Sequence, residues 1–144
     1  SRRQNDLEQT VKRKVAEMEY GTNIYVECNA DMFGQKYFNL QKELKAKLSE
    51  TGCNFVDDKT SATWAITINA SSREYNKVDF GSSVNYFSYV DAEIAVEKVI
   101  TNQRIYEDMI TEKGGHTHNF SEAARDAYKK ITPKIINLVT ENIK

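Results

Sequence analysis

The sequence predicts one α+β domain: a mostly antiparallel sheet of about five strands, two main helices on one of its faces, and a short helix at the amino-terminal end. Three observations carry this prediction. Apolar and polar residues alternate through the middle of the chain, above all within Val84–Val99, as in a strand with one buried and one wet face. Around Leu40–Leu48 and again from Phe120 to Ile143, apolar residues recur every three or four positions, as in helices lying on a core. The strands run together and the helices stand outside that run, which segregates the helices to one face.

At 144 residues the chain is long enough to close one core. We read residues 1–144 as a single domain, with 1–20 an amino-terminal helix or linker and 23–144 the core. Leu7, Val11, Val15 and Met18 make Asp6–Glu19 an amphipathic helix that ends at Gly21. Asn23–Cys28 is a first strand, and Asp31–Gly34 a turn. Tyr37, Leu40, Leu44 and Leu48 form the stripe of a helix stopped by Thr51-Gly52. A short strand follows at Cys53–Val56, then a turn at Asp57–Thr60. Trp64, Ile66, Ile68 and Ala70 alternate with Ala65, Thr67 and Asn69 in the next strand.

The polar stretch Ser71–Ser83 is expected to be a loose loop or hairpin end. In the long strand that follows, Val84, Tyr86, Val90, Ala92, Ile94 and Val96 face the core, and Asn85, Asp91, Glu93 and Glu97 face water. Arg104–Glu112 returns as a last strand, closed by Gly114-Gly115. The final helix, Phe120–Ile143, has Asn119 and Glu122 in the positions of a capping box. Ala123, Ala127, Ile131, Ile135, Leu138 and Ile143 are its core stripe, and Pro133 must kink or divide it.

The formal charge is −1, which gives no basic face for nucleic acid. Lys12-Arg13-Lys14 lies among Glu8, Glu17 and Glu19 and reads as a solvated helix face. No apolar run approaches the ~18 residues of a membrane-spanning helix. Ser1-Arg2-Arg3-Gln4 reads as a cut inside a longer protein, so export and a lipid anchor upstream stay open, as does a cytoplasmic location. Parallel placement of the first two strands puts Cys28 and Cys53 at opposite ends of the sheet, so both are expected as free thiols.

Residues suited to catalysis are sparse. His116 and His118 are the two histidines, with no acid or cysteine at a ligand spacing nearby. Gly114-Gly115 before the last helix lacks the lysine of a phosphate-binding loop. The serines have no nucleophile-elbow context, and the Asp91, Glu93, Glu97 row sits where solvation is the ordinary explanation. We therefore expect no enzyme, no metal and no cofactor. The alternative is a small ligand- or metal-binding domain, or an enzyme, built on the His116/His118 loop and the mouth of the last helix.

Aromatic residues are more informative. Tyr75, Phe80, Tyr86, Phe87 and Tyr89 crowd into fifteen residues. Tyr86 has the buried parity, but Phe87 and Tyr89 share the parity of Asp91 and Glu93. Rings on a polar face suit a contact surface for a protein partner or a second copy, formed by Tyr75, Phe80, Phe87 and Tyr89. Cover from the Ser71–Ser83 loop or from the first helix is the competing explanation.

From Asn23 to Lys144 the element order resembles the CsgG-like group of bacterial envelope domains, with the FlgT-type and TolB amino-terminal domains. The resemblance is carried by Thr51-Gly52 before Cys53-Asn54-Phe55-Val56, by Ser61–Ile68, by Tyr89–Val96 and by Ser121–Ala127. The chain departs from the group at Ile100–Gln103, where the group often has an aspartate and a threonine-glycine, and at Asn69-Ala70, where a glycine is common. The resemblance implies a non-enzymatic binding or assembly role through protein contacts, in the periplasm or at the outer membrane.

Overall fold

Strand β1, Asn23–Met32, organises the sheet in the computed structural model, which describes residues 21–143 and Glu8. The helix expected over Asp6–Glu19 lies outside the described residues. On one side β1 runs parallel to β4 (Trp64–Asp79), from Ile24 opposite Trp64 to Asp31 opposite Ser71. On its other side it carries two short strands, β2 (Gln35–Lys36) and β3 (Asn54–Phe55). β5 (Val84–Lys98) and β6 (Gln103–His116) complete the sheet in the order β2-β1-β4-β5-β6, with the last three antiparallel. The fold is thus α+β with a mostly antiparallel sheet, as expected.

Helix α1, Asn39–Glu50, buries Leu40, Leu44 and Leu48 completely. Each such side chain contributes roughly 1.5–3 kcal/mol by leaving water. The helix ends where Cys53 N–H donates to the Leu48 carbonyl and Gly52 N–H to that of Ser49. Gly52 has φ 87°, a left-handed conformation that costs glycine little. Helix α2, Phe120–Asn142, begins at Asn119, whose side chain accepts from Glu122 N–H at 2.7 Å. It buries Ala123, Ala127, Tyr128, Ile131, Ile135 and Val139 against the sheet. Pro133 lies inside α2 without dividing it; it sits on the exposed side, where water can reach the carbonyl left without its N–H. Tyr128 stacks on Tyr37, ring centroids 4.2 Å apart, and donates its hydroxyl to the Asp31 carbonyl at 2.6 Å. Burial pushes the Tyr128 phenol well above its ordinary pKa, so it stays a donor.

Three expectations are corrected. β1 runs on to Met32 and reverses through Phe33 and Gly34 (φ 50° and 87°), so β2 becomes a sixth strand. The Ser71–Ser83 segment is not a loop: β4 continues to Asp79 because β5 offers it a backbone partner at nearly every position, up to Asp79 opposite Val84. β6 likewise continues through Gly114 and Gly115 to His116. The cysteines are free. β3 pairs with β1 at Asn23 and Ile24, while Cys28 lies farther along, about 20 Å of strand from Cys53 at ~3.3 Å per residue.

Both helices cover the face formed by Ile24, Cys28, Ile66, Ile68, Val90, Ala92 and Ile94. Among the described residues, the opposite face carries no helix.

Candidate functional site

Alternation along β5 sends Phe87, Tyr89, Asp91 and Glu93 to the open face, and β4 supplies their neighbours. Arg73 stands opposite Tyr89 and Ser71 opposite Asp91. Between Glu74 and Asn76 the register shifts by one residue, leaving Tyr75 as the extra residue of a β-bulge. The bulge turns Tyr75 towards the open face, where its ring lies 4.9 Å from that of Tyr89. A polar segment thereby adds an aromatic ring to those of β5.

Cations complete the patch. The Arg73 guanidinium lies 4.4 Å from the centre of the Tyr89 ring. Lys113, opposite Tyr89 on β6, places its ammonium 4.8 Å from the Phe87 ring and 5.5 Å from the Tyr75 ring. Arg73 is held there by Asp91, Nε to Oδ2 at 2.7 Å, and Thr111 donates to the same carboxylate at 2.7 Å. The bond from Arg73, joined by that from Thr111, keeps the Asp91 carboxyl below its ordinary pKa.

Two adjacent glycines, which the sequence marks as the close of the last strand, act on the two faces of β6. A Cβ at Gly114 would strike the Ala123 carbonyl and the Ala127 nitrogen, so Gly114 lets α2 lie directly on β6. Gly115 faces the other way, where the Phe87 ring covers it 3.0 Å from the position of a Cβ. On the free side of β6, Gly115 N–H donates to Asp126 at 3.0 Å and the Lys113 carbonyl accepts from Lys130 at 3.3 Å.

The four rings expected to form a contact surface do not stand alike. Tyr75 and Phe80 are 52% and 61% exposed, whereas Phe87 and Tyr89 are half-buried beneath the cations. Phe80 sits apart, at the hairpin tip, where its N–H donates to the Ser83 carbonyl. Tyr86, on the helix side, packs edge-on against Phe120 at 5.0 Å. The exposed Glu74, Asn76 and Lys77 give this arm of the hairpin no apolar face of its own.

The histidine alternative has a different geometry. His116 Nδ1 accepts from His118 N–H at 3.0 Å, and the two rings lie 6.1 Å apart. Among the described residues, no three His, Cys, Asp or Glu side chains are grouped to hold a metal. At the mouth of α2 the first turn carries Glu122, which opposes an anion there. Among the described residues, no helix is long and apolar enough to cross a membrane.

No family model matches the chain, and no curated protein does. Solved structures share the fold. A minor lipoprotein from Acinetobacter baumannii superposes with a TM-score of 0.59 at 14% identity, over 84% of this chain and 92% of that one. A neuraminyllactose-binding hemagglutinin homolog, so described, from Helicobacter pylori gives 0.56 at 11% identity, over 85% and 82%. A Xanthomonas campestris protein gives 0.55 at 8% identity, over 82% and 83%.

Proposed function

We propose that the chain is a non-enzymatic binding or assembly domain of a bacterial cell-envelope protein, acting through protein contacts made by the open-face patch of Arg73, Tyr75, Phe87, Tyr89 and Lys113. The observation that carries this reading is the bulge at Tyr75. It adds a half-exposed ring to a face already holding Phe87 and Tyr89, and two cations lie on those rings. Aromatic and arginine side chains dominate binding energy at interfaces: the rings bury large areas with few rotatable bonds, and the guanidinium carries five donors on a plane that stacks on rings. An envelope setting is supported by the lipoprotein description of a structure that shares the fold, and by the element order that resembles the CsgG-like group.

A photoreactive phenylalanine analogue at position 75, compared with one at Lys45 on the helix side, tests this reading. Incubation with a bacterial envelope fraction is expected to give a discrete cross-linked protein from position 75 only. Equal labelling from both positions, or none from position 75, rejects the patch as a contact surface.

A further inference from the structure

We propose that the open face associates with the same face of a second copy of this chain, across a twofold axis that sets the β5 strands of the two copies antiparallel. This rests on the patch being a contact surface and names its occupant.

The face is electrically divided. At the hairpin end Arg73 and Lys113 lie over Tyr75, Phe87 and Tyr89, and the one carboxylate among them, Asp91, is neutralised by Arg73. Lys113 has no ion pair to a described carboxylate. The other half carries Glu27 and Glu93, both exposed and also without a described ion pair, and Glu107, which pairs with Arg104 at 3.3 Å. Between the halves runs an open groove of about 590 Å³, lined among others by Asp31, Lys36, Asn69, Asp91, Glu93 and the exposed Met109.

Such a division is self-complementary. Tyr89 and Glu93 are four residues apart on β5, about 13 Å at ~3.3 Å per residue. A twofold axis near Asp91, midway between them, lays the aromatic and cationic end of each copy over the acidic end of the other. Every favourable contact is then made twice, as in any isologous pair. Asp91 and Thr111 meet their own copies at the axis. The Arg73 bond removes the repulsion that two bare carboxylates would meet there. The exposed Tyr75 ring faces the other copy's groove.

Sedimentation equilibrium across micromolar concentrations reads the association. Wild-type protein is expected to dimerise, more weakly as salt rises. Lys113→Glu and Glu93→Lys, each alone, are expected to weaken the homodimer at least about tenfold, because like charges then oppose each other twice. Mixing these two variants is expected to restore a heterodimer, and so is combining both changes in one chain. A monomeric wild type, or single losses that the mixture does not rescue, overturns the inference. A monomer whose charge-reversed variants melt earlier also overturns it, by pointing to cover from within the chain. A monomer that still gives a discrete cross-link from position 75 overturns the second copy alone. A monomer with no such cross-link removes the contact surface as well.

Discussion

Gly115 on β6 and Phe87 on β5 stand directly opposite one another, and the Phe87 ring occupies the space above Gly115 that any other residue's Cβ would claim. Its neighbour Gly114 performs the same service on the other face, for the backbone of α2. The two glycines differ in what they meet, and this separates two substitutions.

Gly114→Ala forces a methyl group into the α2 backbone, which has no rotamer by which to move. A loss of about 1–3 kcal/mol is expected in a urea unfolding curve. Gly115→Ala meets only the edge of the Phe87 ring, which can swing aside, so a smaller loss is expected together with a more exposed Phe87. Equal costs for the two would contradict the placement of α2 on β6.

Ile94→Asp puts a carboxylate into the core on the helix side of the sheet, at a position 1% exposed. An unpaired charge there costs several kcal/mol, a large share of a domain's stability. Circular dichroism is expected to show an unfolded or early-melting protein. A melting temperature equal to wild type would reverse the parity assigned to β5.

Asp91 contributes to the acid dependence of stability with a definite sign. Its folded pKa lies below the ordinary carboxylate value, chiefly through the Arg73 bond. That contribution is fully present above about pH 4 and is lost as pH falls through the depressed folded value. Asp91→Asn is therefore expected to flatten the acid limb of stability below about pH 4, measured as urea midpoints against pH. An acid limb as steep as that of wild type would show that Asp91 is not held as described.

The thiols should separate kinetically. Cys28 is buried, and burial pushes its pKa up to about 11, whereas Cys53 is half-exposed. In native protein a thiol-reactive chromophore is expected to titrate one group quickly and the second only on unfolding, since the thiolate is the reacting species. Two fast groups would mean that the strand β1 side of the core opens readily, and zero groups would mean a disulfide.

Much of this was legible from residue periodicity. Leu40, Leu44 and Leu48, and the alternation from Val90 to Val96, record burial directly, because each sits where a helix or sheet face meets the core. The arm from Ser71 to Asp79 left no such record. Beyond Ser72 both of its faces are wet, so only backbone pairing with β5 makes it a strand, and pairing does not select side chains. Tyr75 gave a composition signal but no position, since the bulge that aims it arises from the register of two strands. Gly114 and Gly115 misled for a related reason: glycine marks a turn or a close approach equally well, and only the tertiary neighbours tell which.

The Asp126 and Lys130 side chains that bond the outer backbone groups of Gly115 and Lys113 have a further consequence for how copies of the chain can meet. Asp108 takes the Met109 N–H farther along at 2.8 Å, so three outward backbone groups of β6 are already bonded, and a strand added at that edge would have to displace them. The opposite margin is broken into two-residue strands. A strand added at one margin thus meets bonded groups, and at the other it finds only short partners. The same helix that closes the core also guards part of the sheet's edge against open-ended pairing.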